Sequence, residues 1–161
     1  GAEISLQALL AQTNTLSIQS FANLTLNRHR FVDFIDNQTD YSNNELTGVP
    51  DKQVNFGLEF QIWKLIYGNF NGTHIGAMPM RDDNSVYSDA YTIFNLKIGV
   101  EKSLSRNLSL QFEGGLQNLF DKKHASQILV NAASFGGAAP RYYYPGLPRN
   151  GFLSFSLAYS I

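Results

Sequence analysis

The stretch Phe152-Leu153-Ser154-Phe155-Ser156-Leu157-Ala158-Tyr159-Ser160-Ile161 reads in steps of two. Leu153, Phe155, Leu157, Tyr159 and Ile161 fall on one face, and Phe152, Ser154, Ser156, Ala158 and Ser160 on the other. Successive side chains of a strand point to opposite faces, whereas an amphipathic helix needs apolar residues at three- and four-residue spacing. The segment therefore predicts a strand with one greasy face and one small, mostly polar face.

The same pattern repeats upstream. Ala2, Ile4, Leu6, Ala8 and Leu10 alternate with Glu3, Ser5 and Gln7. Leu16, Ile18, Ala22, Leu24 and Leu26 alternate with Ser17, Gln19, Asn23, Thr25 and Asn27. Val54, Phe56, Leu58, Phe60 and Ile62 alternate with Asn55, Gly57, Glu59 and Gln61. Phe94, Leu96, Ile98 and Val100 alternate with Asn95, Lys97, Gly99 and Glu101. Leu108, Leu110, Phe112 and Leu116 alternate with Ser109, Gln111, Glu113 and Gln117. A weaker strand over about Leu65 to Thr73 would place Ile66, Gly68, Phe70 and Gly72 outward. The result is seven candidate strands, most of about 10 residues, the length that crosses a bilayer when tilted.

The connections alternate too. Gln12-Thr13-Asn14-Thr15, Trp63-Lys64 and Ser103-Leu104-Ser105-Arg106 are short; Arg28 to Pro50, His74 to Ala90 and Asp121 to Asn150 are long. Outer-membrane barrels join their strands by short periplasmic turns and longer extracellular loops. Soluble antiparallel sandwiches also alternate, but their connections are mostly short. Glu3, Glu59, Lys97, Glu101 and Glu113 all sit on the polar face. A Lys or Arg on the lipid face at the midplane would cost about 2–4 kcal/mol. Trp63, Tyr67, Tyr91 and Tyr159 lie near strand ends, where interfacial aromatic girdles belong.

Composition agrees. Aromatic residues make up 13% and charged residues only 16%, against about 25% in a typical soluble domain. No apolar run approaches the roughly 18 residues of a membrane helix. A net charge of -1 lacks the basic footprint of nucleic-acid binding. The absence of cysteine excludes disulfides and thiolate metal sites. An open seven-stranded sheet would leave two unpaired edges in lipid, so further strands are expected to close it. Residues 1–161 are thus expected to be the C-terminal portion of a larger β-barrel, without its earlier strands.

Two stretches carry a family resemblance. Gln117-Asn118-Leu119-Phe120-Asp121-Lys122-Lys123 and Pro140-Arg141-Tyr142-Tyr143-Tyr144-Pro145-Gly146-Leu147-Pro148-Arg149-Asn150 together resemble the C-terminal signature of TonB-dependent outer-membrane receptors. In that family an N-L-F-D stretch precedes the last extracellular loop, and an R-Y-Y-x-P-G-x-P-R-N segment precedes the final strand. Leu46-Thr47-Gly48-Val49-Pro50 and Gly1-Ala2-Glu3 resemble its strand starts. The family usually ends in an aromatic residue; this chain ends in Ile161.

The resemblance implies an all-β, antiparallel transmembrane barrel of about 22 strands, of which seven would be roughly a third. It implies the outer membrane of a Gram-negative bacterium, a globular N-terminal plug inside the barrel, and an inner-membrane energy-transducing complex acting through the N-terminus. The function it implies is energy-dependent import of a scarce nutrient, first of all a ferric siderophore or other iron complex. Glu59, Glu101 and Glu113 are then candidates for plug contact. Tyr41, His74, Arg81, His124, Arg141 and Tyr142 are candidates for ligand contact, being polar or aromatic groups expected on loops.

The signature residues also have a purely structural reading. Asn118 and Asp121 can satisfy backbone donors where the strand leaves the sheet, and the prolines stiffen the return. A passive porin-like or structural barrel would present a similar lumen face. No nucleophile–base pairing supports an enzyme. The chain needs no cofactor for the function read here. His29, His74 and His124 lack metal-site spacing, and Asp82-Asp83-Asn84 lacks the rest of a calcium loop, so it reads as a solvated turn.

Overall fold

A computed structural model describes residues 1–160. Ile161, the last residue of the alternating stretch, lies outside the described residues. Eleven strands follow one another: β1 (Ala2–Gln12), β2 (Leu16–Leu26), β3 (Ile35–Asp36), β4 (Thr39–Asp40), β5 (Lys52–Ile62), β6 (Ile66–Ile75), β7 (Tyr91–Ser103), β8 (Leu108–Gln117), β9 (Ala125–Ile128), β10 (Tyr143–Pro145) and β11 (Asn150–Tyr159). Seven of them form one sheet in the order β1-β2-β5-β6-β7-β8-β11. Every neighbouring pair is antiparallel, so the sheet is a continuous meander. It is a partial barrel and does not close on itself within this chain. The remaining strands pair as two small hairpins, β3–β4 and β9–β10, inside the long connections.

All seven expected strands are present. The three short turns lie at one end of the sheet and the three long loops, 27–51, 76–90 and 118–149, at the other. Each short turn has a local chemical reason. The Thr13 hydroxyl accepts from the Leu16 and Thr15 amides. Trp63 and Lys64 both have positive φ, as tight turns between twisted strands require. Ser105 Oγ accepts from the Asn107 amide.

The apolar face is laid bare to the surroundings rather than folded onto a core. Leu153 is 78% exposed and Phe155 67% exposed, with Leu6 and Leu157 similarly open. A water-soluble monomer seldom leaves so extended an apolar patch uncovered. A bilayer is the solvent that suits it. Phe70 stacks on Phe94 at 5.6 Å, and Phe94 meets Phe56 and Phe120 edge-on at 5.9 and 5.4 Å. These rings fix the outward side of β6, the strand with the weakest sequence signal.

Four local expectations change. The alternation of β1 does not run unbroken through Leu10, because the register shifts between Leu9 and Ala11. One extra residue reverses parity, which keeps Gln12 on the polar side, where it accepts from the Ser17 hydroxyl. Strand β6 runs on through His74 and Ile75, so His74 is not in a loop. Tyr67 is no girdle residue: its hydroxyl meets Glu113 and Gln111 on the polar face. Tyr91 shares the parity of Asn95 and Lys97 and packs on His124, so it too faces inward.

Candidate functional site: the lumen wall and the loop crown

Asparagine and glutamate dominate the middle of the polar face, and they bond to one another across strands. Asn69 Nδ2 donates to Glu59 at 3.5 Å, and Asn95 Nδ2 to Asn71 Oδ1 at 3.0 Å. Asn71 in turn donates to Asn69, and the Asn118 amide donates to Asn95 Oδ1 at 3.1 Å. The ladder thus climbs from β5 to the top of β8. Below it, Glu113 accepts from the Tyr67 hydroxyl at 2.9 Å and pairs with Lys97 at 3.6 Å. Lys97 Nζ also lies 5.9 Å from the centre of the Tyr67 ring. Glu59 and Glu113 are therefore held by neighbours on the wall. Glu101 makes no side-chain bond among the described residues and is exposed near the turn end of β7.

Above the wall, the three long loops are fastened to each other. Asp82 is the junction. Its Oδ1 accepts from Thr47 Oγ1 in the first loop, and its Oδ2 accepts from Asn131 Nδ2 in the third at 2.8 Å. Its backbone amide donates to Asn131 Oδ1, and its carbonyl accepts from Asn44 Nδ2. Asn84 adds a two-way contact with Glu45, accepting from its amide and donating to its carbonyl. Met80, which is 1% exposed, fills the space beneath this junction, and its carbonyl accepts from the Asn131 amide. The Tyr87 hydroxyl donates to Glu45 Oε2 at 2.9 Å. Partial burial, and then that hydrogen bond and the carboxylate's charge, raise the Tyr87 pKa above the ordinary phenol value. Asp83 accepts from both the hydroxyl and the amide of Ser85, which holds its carboxyl below the usual range.

The Asp82-Asp83-Asn84 stretch is thus no free solvated turn; two of its three residues tie the loops together. Sequence reasoning missed Asp82, Asn84 and Asn131. Their partners lie 35 to 49 residues away, and no short-range pattern announces such a contact.

The two signature stretches form one structural unit. Asn118, only 4% exposed and with φ of 51°, donates to the Lys122 and Leu147 carbonyls and accepts from the Lys122 amide. Asp121 accepts from the Arg149 amide at 2.8 Å. Asn150 donates to the Pro148 carbonyl as β11 begins. The outgoing and returning ends of the third loop are thereby clasped beside the β8–β11 pairing. Leu119 and Phe120 support the clasp, through the Phe94 carbonyl and ring respectively. Tyr143 and Pro145 lie in β10 and pair with β9.

The expected ligand-contact residues do not form one cluster. Tyr41 packs on Phe34 at 5.6 Å inside the first loop. Arg81 is exposed and sits 3.5 Å from Asp83. His74 Nδ1 bonds Thr92 Oγ1, and His74 shares the parity of outward-facing Phe70. Arg141 is exposed, and the Tyr142 carbonyl accepts from the Leu129 amide. His124 is the best placed. Its ring lies 5.2 Å from Tyr91, packs over Gly146, and borders two concavities of about 720 Å³ each. One is on the lumen wall with Asn71, Asn95 and Lys97; the other lies between the second and third loops.

The family model described as TonB dependent receptor-like, beta-barrel, matches residues 1–119. Among solved structures, the chain is similar to the siderophore receptor PiuA from Acinetobacter baumannii, with a TM-score of 0.66 and 13% sequence identity. The likeness covers 97% of this chain and 21% of that one, so the chain spans about a fifth of that receptor's length. At this identity the likeness is one of fold.

Proposed function

Because the chain belongs to the TonB-dependent receptor-like β-barrel family, whose members are outer-membrane receptors and transporters rather than enzymes, we propose that it forms the C-terminal wall and three outer loops of a receptor that imports an iron complex. A ferric siderophore is the first candidate ligand. The observation that carries this reading is the loop crown. Three loops locked together at Asp82 offer a preformed surface above a polar wall, and a preformed surface loses less entropy when it binds.

In this reading the complete barrel has about 22 strands and a plugged lumen. Glu101, unengaged on the wall, offers a carboxylate to the plug, with Glu59 and Glu113 meeting it through the networks that hold them. Tyr41, Arg81, His124, Arg141 and Tyr142 supply the loop contacts; His74 is left out because it shares the row of Phe70. Import draws on an inner-membrane energy-transducing complex acting through a segment upstream of this chain. The protein resides in the outer membrane of a Gram-negative cell.

The test is uptake of radiolabelled ferric siderophore by cells carrying the full-length protein, with and without the energy-transducing complex. Uptake that vanishes with the complex supports the reading. Uptake that persists without it means a passive pore, and no uptake in either strain removes ferric siderophores as the ligand.

A further inference from the structure

Left-handed backbone is where this chain places asparagine. Among the described residues, nine other than glycine have positive φ, and six of these are Asn or Asp. Short polar side chains tolerate that conformation and bulky ones resist it. Trp63 and Lys64, with φ of 50° and 54°, depart from the habit. They are the two central residues of the turn that the Leu65 amide closes on the Ile62 carbonyl. Asn-Gly is the pair that suits such a turn. Burial does not explain the choice, because Trp63 is 65% exposed and Lys64 is exposed as well. An unfavourable backbone kept at an exposed turn points to a contact made outside the chain.

The surroundings of the turn say what that contact is. It lies at the short-turn end of the sheet, directly below the outward pair Ile62 and Ile66. The Glu101 amide donates to the Leu65 carbonyl at 2.8 Å, which ties this turn to the end of β7. There Lys102 continues the outward row of Ile98 and Val100 and sits across from Leu110. The next turn adds Leu104, 52% exposed, and the exposed Arg106. Lys64, Lys102 and Arg106 take part in no ion pair among the described residues. Glu101, the carboxylate of the same strand end, falls on the opposite, lumen-facing row. The patch is thus an indole and three unpaired cations along the lower margin of an apolar face. An amphipathic indole settles among lipid headgroups, and cations on long apolar stems reach the phosphates. Continuity with the lipid-facing rows favours lipid over a soluble periplasmic protein as the partner.

We infer that this patch binds phospholipid headgroups of the periplasmic leaflet, with Lys64, Lys102 and Arg106 favouring acidic lipid, and that the Trp63-Lys64 turn keeps its strained backbone for that contact. The inference rests on the outer-membrane placement of the barrel, in which short turns face the periplasm. It is independent of the imported ligand. Relaxing the turn and removing the lipid contact should therefore have opposite effects on stability, and the medium decides which of them is seen.

The test uses the full-length protein in micelles of an uncharged maltoside detergent and in bilayers of phosphatidylcholine, alone or mixed with phosphatidylglycerol. The midpoint temperature of unfolding is measured for wild type, a turn variant, Trp63→Asn/Lys64→Gly, and a charge variant, Lys64→Gln/Lys102→Gln/Arg106→Gln. The turn variant should lie above wild type in micelles, where only the relieved backbone counts, and below it in mixed bilayers. Phosphatidylglycerol should raise the wild-type midpoint, and added salt should cancel the rise. The charge variant should match wild type in micelles and show none of that rise. A turn variant that shifts in the same direction in micelles and bilayers overturns the inference, as does an equal response of wild type and charge variant to phosphatidylglycerol. A wild-type protein that enters neither bilayer overturns the membrane wall as well.

Discussion

Gly68 of β6 lies directly across from Phe60 of β5, and the Phe60 ring occupies the space that a β-carbon at Gly68 would need. The same arrangement recurs at Phe56 over Gly72, Phe21 over Gly57, Tyr67 over Gly99 and Phe152 over Gly115, each a directly paired position. Two of these pairs lie on the lipid side and three on the lumen side. Each glycine leaves a gap in its strand, and the opposite ring closes it.

Gly68→Ala should therefore destabilise the barrel by about 1–3 kcal/mol through overpacking. The cost should shrink in a Phe60→Leu background. Urea unfolding of the refolded full-length protein, run as a double-mutant cycle, measures the coupling. Additive effects of the two changes would mean that the ring and the glycine do not share one space.

Asp82→Ala should loosen all three loops together, since it removes bonds to Thr47 in the first loop and Asn131 in the third. Hydrogen exchange in loops 27–51 and 118–149 should quicken along with loop 76–90, while β5 to β8 keep their protection. Faster exchange confined to loop 76–90 would show that the crown is not one unit.

Asn118→Ala should cost about 2–4 kcal/mol, because it strands two carbonyls and one amide and places alanine at a left-handed backbone. Asn118→Gly separates the two contributions: it relieves the backbone strain and loses the same bonds. Thermal unfolding of the three proteins should rank wild type above Gly and Gly above Ala or level with it. An alanine variant as stable as wild type would contradict the clasp.

Asp83 gives a pH signature. Its hydrogen bonds from Ser85 favour the carboxylate, so its pKa in the folded protein lies below the ordinary 3.8. The stabilisation is fully present above that ordinary value and is lost as pH falls through the lowered one. Carboxyl NMR of selectively labelled protein should show Asp83 titrating below the ordinary 3.8. Ser85→Ala should move its titration upward; an unmoved titration would mean that Ser85 is not the cause.

Much of the sheet was legible because one face meets lipid, and a lipid face demands unbroken alternation. The faint signal of β6 has a physical source: Gly68 and Gly72 are outward residues whose apolar bulk is supplied by Phe60 and Phe56 on the next strand. Tyr67 and Tyr91 were misplaced because aromatic residues near strand ends suit either a girdle or a lumen network, and parity with Lys97 and Asn95 decides the matter. His74 read as loop because a polar residue at a strand end leaves the period-two pattern without ending the pairing. The backbone-capping roles of Asn118 and Asp121 were readable from turn chemistry; the bond from Asn150 to the Pro148 carbonyl was not. The junction at Asp82 was not, since its partners come from separate loops.

Nitroxide labels at consecutive positions 153 to 158 of β11, in the full-length protein in bilayers, test whether this wall has one lipid face and one lumen face. Oxygen, which concentrates in lipid, should reach labels at 153, 155 and 157 far more readily than labels at 154, 156 and 158, giving a period of two. Uniform accessibility, a period near 3.6, or a protein that stays monomeric and folded in buffer without detergent would contradict a membrane-spanning barrel wall.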